Sequence, residues 1–259
     1  MERLRHILDS VIDPIGPAVP RVPTEYQIIH PDSAPLLKDR AIAMAAAAHE
    51  NDAVIFLDKK ARPLAHLFGR VFPALYEDVL PEVRFMNFGS EKKIEIDNVY
   101  AYADKDTRSR FTRLRQENPF TSRDELVTVF GTDNIEELEA MIHHPSMGPN
   151  RLIVDDLSNS GKTKLLAKHV LSTLDPESTY TTFAFFTQDQ RRQRHQYWRM
   201  HVDVRDRNIK DDPFMFRRDD RSFRVQRAPS NDLERENNYL LRQDFDLLAH
   251  EIYIDRSSS

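Results

Sequence analysis

Cysteine is absent from all 259 residues of the chain. That absence excludes disulfides, thiolate zinc sites and cysteine nucleophiles together, and it suits a reducing cytosol. Long apolar runs are missing as well: the longest, Ala41 to Ala48, is too short to cross a bilayer. The opening Met1-Glu2-Arg3-Leu4-Arg5-His6 lacks the apolar stretch of a secretory signal, so the expectation is a soluble cytoplasmic protein without a membrane partner. Positive charge is not in excess either. A net charge of −5 argues against a protein that coats nucleic acid, while leaving room for a local basic patch. No internal repeat is visible.

What is present reads as one large domain with appended arms. Residues 1–35 form an expected N-terminal arm: a helical stretch from Glu2 to Val11, then Pro14, Pro17, Pro20 and Pro23 in extended chain. Residues 36–190 form the expected core. Within it, Leu36 to His49 is alanine-rich and helical, and Ala53 to Leu57 is a continuous apolar run of the kind found in buried parallel strands. A helix follows from near Pro63, then a strand over Val83 to Phe88. Leu126 to Phe130 is expected as a strand, Ile135 to Ile142 as a helix, and Leu152 to Val154 as a strand that ends in two acids. Thr163 to Leu174 carries Leu166, Val170 and Leu174 on one helical face, and Thr181 to Phe186 is a further strand. Such alternation predicts an α/β fold, a mainly parallel sheet with helices on both faces. Residues 191–259 form an expected C-terminal hood or arm, with an arginine-rich segment (Arg191 to Arg227) and a last amphipathic helix through Leu241, Phe245, Leu248 and Ile252.

One segment concentrates the chemistry: Leu152-Ile153-Val154-Asp155-Asp156-Leu157-Ser158-Asn159-Ser160-Gly161-Lys162-Thr163. A strand, a glycine-containing turn and a helix together make an anion site, because the first N–H groups of the helix lack intrahelical partners and the dipole adds positive potential. Gly161 permits close backbone approach, and the hydroxyls of Ser160 and Thr163 can donate to phosphate oxygens. The ending Gly161-Lys162-Thr163 also matches the end of a P-loop, but that motif needs a glycine where Asp156 stands. Carboxylates at the mouth of a triphosphate cradle would repel the ligand. A purely structural reading, a strand ending in a capped turn, accounts for Asp and Ser in general. It accounts less well for two adjacent acids followed by Ser-Gly-x-Thr.

The run Asp155-Asp156-Leu157-Ser158-Asn159-Ser160-Gly161-Lys162-Thr163 resembles the ribose-phosphate motif of type I phosphoribosyltransferases, and its Gly-Lys-Thr ending is similar to the hypoxanthine-guanine branch. The resemblance covers residues from about 36 to 190. It implies a type I phosphoribosyltransferase-like core that binds phosphoribosyl pyrophosphate or a nucleoside monophosphate, and it implies a role in nucleotide metabolism. Asp155 and Asp156 would take the ribose hydroxyls and Mg²⁺, while Ser158, Ser160, Gly161, Lys162 and Thr163 would hold the 5′-phosphate. Lys59, Lys60 and Arg62, in the segment Phe56 to Pro63, fall where the family keeps its pyrophosphate loop. The charged stretch Gly89 to Thr121 falls at the place of its mobile catalytic loop, although a solvated loop fits its composition equally. A binding or regulatory protein that keeps the phosphoribosyl site without the chemistry is the alternative. A P-loop kinase is a more distant one, and a homo-oligomer is compatible with either.

Two further segments have blander readings. His143-His144, near Glu136, Glu137 and Glu139, has no third histidine at ligand spacing and reads as a polar loop. Gln188 to Arg199 interleaves arginines with Tyr197 and Trp198, as single-strand binders do, yet acids resume at Asp203. A hood over the site, or a solvated face, fits the charge balance better.

The residue assigned to catalysis by position is Asn159. Purine-using members of the family carry an aspartate at this third variable position to handle the base proton, and an amide cannot titrate. Steady-state pyrophosphate release with hypoxanthine or guanine is therefore expected to be weak or absent, and Asn159→Asp is expected to raise it. Robust purine transfer by the parent, without gain in the mutant, would show that another residue carries the proton.

Overall fold

Four apolar segments pair side by side in one parallel sheet. The protein is described by a computed structural model, which covers residues 24–29, 31–57, 62–86, 118, 120–157, 162–186 and 232–258. A 3-10 turn at Pro31–Ser33 leads into α1 (Ala34–His49), followed by β1 (Ala53–Leu57), α2 (Arg62–Leu75) and β2 (Glu82–Met86). Next come α3 (Arg123–Phe130), α4 (Thr132–Ile142), β3 (Asn150–Leu157), α5 (Lys162–Leu174), β4 (Thr179–Phe186) and the long α6 (Asp232–Ser257). The strand order is β2-β1-β3-β4, and every pairing is parallel. The architecture is thus the expected α/β one, with an all-parallel sheet of four strands.

Side-chain alternation splits the core in two. Val54 and Phe56 of β1, with Leu152 and Val154 of β3, pack against α1, α2 and α6. Ala53, Ile55 and Leu57, with Ile153, pack against α3, α4 and α5. All of β1 is buried, which is why its sequence is a continuous apolar run rather than an alternating one. Leu241, Phe245, Leu248 and Ile252 of α6 join the first cluster, as do Ile28 and Ile29 from before α1. Residues 1–23 and 191–231, where the proline-rich arm and the arginine-rich segment were expected, lie outside the described residues, as do 89–117.

One expectation fails. Leu126 to Phe130 is not a strand but the body of α3. Val127, Thr128 and Val129 give it β-branched composition, yet its start carries a reciprocal cap that overrides propensity. The Ser122 hydroxyl accepts the N–H of Glu125 at 3.3 Å, and the Glu125 carboxylate accepts the N–H of Thr121 at 2.9 Å. Leu126 and Phe130, four residues apart, then share the buried face of one helix.

The two ends of the described chain are tied by a single carboxylate. Asp244 of α6 is fully buried and accepts the backbone N–H groups of Gln27, Ile28 and Ile29 at 2.8, 2.6 and 2.7 Å. These bonds are charge-assisted and shielded from water, so each is worth more than an ordinary backbone bond. Nearby, the Tyr26 hydroxyl donates to Glu251 at 2.8 Å, and Lys38 of α1 pairs with the same carboxylate at 2.8 Å. Replacing Asp244 by Ala strands three buried donors. We expect a loss of about 3 kcal/mol in urea unfolding, with loss of amide-exchange protection at Ile28 and Ile29. An unchanged midpoint would show that the clamp is not structural.

Candidate functional site

The direction of travel through the sheet reverses at β1. The chain steps outward from β1 to β2, crosses back to β3 on the other side of β1, and continues to β4. Right-handed crossovers in opposite directions put their helices on opposite faces. Accordingly α2 lies on the face of the first cluster, while α3, α4 and α5 lie on that of the second. The helices that follow β1 and β3 therefore lie on opposite faces, which makes the carboxyl ends of these two strands a topological switch point, the place where open α/β sheets offer a crevice.

The strands that lead into the two segments singled out for phosphate chemistry end beside one another at this switch point. Phe56 of β1 is in register with Val154 of β3, so the ends of the two strands sit side by side, roughly 4.8 Å apart. Asp155 is one residue further along β3, 7 % exposed, and paired in register with Ala184 of β4. Period-two alternation gives it the same face as Ile153, the face that α5 covers. Asp156 follows in β3. Lys162 and Arg62 are the first residues of α5 and α2, and half-buried Thr163 is the second residue of α5. Lys59, Lys60, Ser158, Asn159, Ser160 and Gly161 lie outside the described residues, in the stretches 58–61 and 158–161 that link each strand to its helix.

The opening turn of α5 presents N–H groups without intrahelical acceptors to the end of β3, and the dipole makes that end positive. A buried carboxylate on the strand and a positive helix start next to it divide the region by charge. Oxygen donors such as Asp155 and Asp156 suit hard divalent cations like Mg²⁺. Among the described residues no group of three or more His, Cys, Asp or Glu side chains is clustered to hold a metal.

Sequence reasoning missed several residues that build this end of the molecule. Arg40 of α1 braces the end of β4: Nε donates to the carbonyl of Phe185 at 2.7 Å, Nη2 donates to that of Ala184, and the guanidinium lies 4.9 Å from the centre of the Phe183 ring. Burial pushes its pKa down. Its one signal was a cation next to the run of small apolar residues from Ala41 to Ala48. Along α2 and α6, His66 faces Asp246 and the Ala74 carbonyl faces Arg256, so the two helices run in the same direction. Only four residues of α2 precede His66, whereas fourteen of α6 precede Asp246. At 1.5 Å per residue, α6 overruns the start of α2 by about 15 Å on the crevice side. Half-exposed Tyr239, whose hydroxyl accepts from Gln243 Nε2 at 2.8 Å, belongs to this overhang.

The opposite end of the sheet is built for rigidity. Arg151 is 4 % exposed and donates to the carbonyls of Gly148 and Ile142 and to the Tyr180 hydroxyl, and it pairs with Asp175 at 2.8 Å. Burial, partly opposed by Arg151, pushes the Tyr180 phenol up to about 12. His143 caps the end of α4, and exposed His144 pairs through Nδ1 with Ser146 Oγ at 2.8 Å, as befits a polar loop. Among the described residues no helix is long and apolar enough to cross a membrane. Comparison with protein-family models, with curated proteins and with solved structures yields no match to this chain.

Proposed function

We propose that this chain is a phosphoribosyltransferase-like protein that binds phosphoribosyl pyrophosphate at the β1–β3 crevice and transfers the phosphoribosyl group to an acceptor with release of pyrophosphate. What supports the reading is that two segments remote in sequence follow strands that end side by side. The basic stretch after β1 and the acid-acid-to-Gly-Lys-Thr stretch after β3 leave neighbouring strands at the one place where the winding reverses. Neither segment alone would support the proposal.

The chemistry divides among the residues by donor type. Carboxylates accept from hydroxyls, so Asp155 and Asp156 take the ribose diol. N–H groups and hydroxyls donate to phosphate, so Ser158, Ser160, Gly161 and Thr163 with the start of α5 take the 5′-phosphate. Lys59, Lys60 and Arg62 face the diphosphate. The acceptor nucleophile bonds to C1 as the C1–oxygen bond breaks, and that electron pair departs with pyrophosphate. Charge builds on the ribose during the displacement, so holding both ends of the substrate and excluding water count for more than proton transfer. Mg²⁺, held with Asp155 and Asp156, would supply countercharge to the diphosphate. Asn159 is placed by sequence to orient the acceptor through hydrogen bonds. The overhang of α6 suits a C-terminal hood that covers the acceptor.

A thermal-shift series tests the reading with phosphoribosyl pyrophosphate, nucleoside monophosphates and ATP, each with Mg²⁺. A ligand at about a hundred times its dissociation constant should add about 2.7 kcal/mol of stability. The expected responders are the first two, and a response to ATP alone would favour a P-loop kinase. Pyrophosphate release with a panel of bases and amines then separates an enzyme from a non-catalytic binder.

Substitutions assign the groups. Asp155→Asn with Asp156→Asn should abolish the phosphoribosyl response while unfolding stays cooperative, and undiminished binding would remove both acids from the site. Gly161→Val should obstruct phosphate approach, and Lys162→Ala should matter less. The reverse order of effects would again point to a P-loop.

A further inference from the structure

We propose that the seam between α2 and α6 is a proton-operated latch, in which protonation of His66 loosens α6 from the start of α2. His66 and Asp246 face each other across the seam with Nε2 and Oδ1 3.3 Å apart, and their side chains are 7 % and 22 % exposed. The contact is long: both atoms are buried, and at 3.3 Å they lack good hydrogen-bond geometry toward each other. Buried polar atoms left in that state cost stability, which a native seam tolerates only with a reason. Arg70 Nε already lies 2.8 Å from the same Asp246 oxygen. The one carboxylate is therefore largely neutralised before His66 gains a proton.

Among the described residues, the charged groups that act on His66 are few. Its own helix contributes Arg70, and α6 contributes Asp246 and Arg242. The buried face of α1 is Ala34, Leu37, Ala41, Met44, Ala45 and Ala48, none of them titratable. From the sheet, Val54, Phe56 and Val154 belong to the same apolar cluster as the buried faces of α2 and α6. A protonated His66 would thus bring a second cation to the Asp246 oxygen that Arg70 already holds.

Burial is the leading influence on His66 and pushes its pKa down. Asp246 pulls the other way, and Arg70 and Arg242 push down again. A histidine held neutral by the fold adds stability above the ordinary imidazole value of about 6.5. That stability drains away as the pH falls below this value, because the opened state takes up the proton first. What yields is the α2 side of α6. Its other side stays held by Asp244 on Gln27, Ile28 and Ile29 and by Lys38 on Glu251 and Asp255. Because His66 is one turn from the start of α2, the seam opens toward the end of β1.

Two measurements on the full chain decide the matter. Imidazole NMR, with the His66 signal identified by its loss in His66→Gln, should show His66 titrating below about 6.5. Amide exchange at residues 240–250, corrected for intrinsic rates, should rise by about tenfold for each unit of depression as the pH falls from about 7.5 to 5.5. The rise should vanish in His66→Gln. Should that variant fail to fold, Arg70→Gln decides instead: removing the competing cation from a partly exposed position should raise the His66 titration point and flatten the exchange profile. Titration at the ordinary value, pH-independent corrected exchange in the parent, or an unmoved titration point in Arg70→Gln would each overturn the latch.

Discussion

A strand that returns to a parallel neighbour does so with a right-handed crossover, because a right-twisted strand feeding a right-handed helix packs back onto the sheet only that way. In this chain the constraint acts in opposite directions on the two sides of β1. Moving from β1 to β2 forces α2 onto one face, and moving through β3 to β4 forces α5 onto the other. The crevice between the ends of β1 and β3 is not carved by any particular side chain. It is the space left when two connections leave adjacent strands in opposite senses. Asp155, the first turn of α5 and the first turn of α2 are brought to one place by handedness, across roughly a hundred residues of sequence between Leu57 and Asp155.

That scaffold needs its faces covered, and the two faces are covered differently. The α5 face is closed by helices from between consecutive strands, α3 and α4 between β2 and β3 and α5 between β3 and β4. The α2 face has only α1 and α2 from the core and is completed by α6, which comes from the end of the chain. A helix recruited from so far away carries a large closure cost and needs more than apolar contact to fix its register. Asp244 supplies that register. A carboxylate that accepts three successive backbone N–H groups fits one position along the strap at Gln27–Ile29, whereas leucines alone would tolerate sliding.

Periodicity made much of this legible. β1 as an unbroken apolar run, α5 through Leu166 and Val170, and α6 through Leu241, Phe245, Leu248 and Ile252 all follow from which residues can face a core. Leu126 to Phe130 misled because β-branched residues were weighed before the Ser122–Glu125 cap. The strand β3 extends from Asn150 to Leu157, past both ends of its apolar centre. Arg151 can be buried there because carbonyls, a phenol and Asp175 take up its donors. No single-sequence pattern announces such satisfaction, because its partners are 3 to 29 residues away. The Asp244 clamp is invisible for the same reason, with partners more than 200 residues distant. Of the candidate site, the motif was visible in the sequence, but that the strands leading into its two halves are neighbours required the strand order.

Buried charge is handled in opposite ways at the two ends of the sheet, and the contrast bears on where the molecule can move. At the amino end Arg151 is matched donor for acceptor, and any displacement would strand several bonds at once. At the carboxyl end the His66–Asp246 contact is long, and Arg70 holds the same oxygen. A displacement there gives up the Arg70–Asp246 pair and the long His66 contact, fewer bonds than the Arg151 network would lose. Local opening concentrates where the fewest satisfied contacts resist it. The α2–α6 seam therefore resists displacement less than the Arg151 network that sets the strand register.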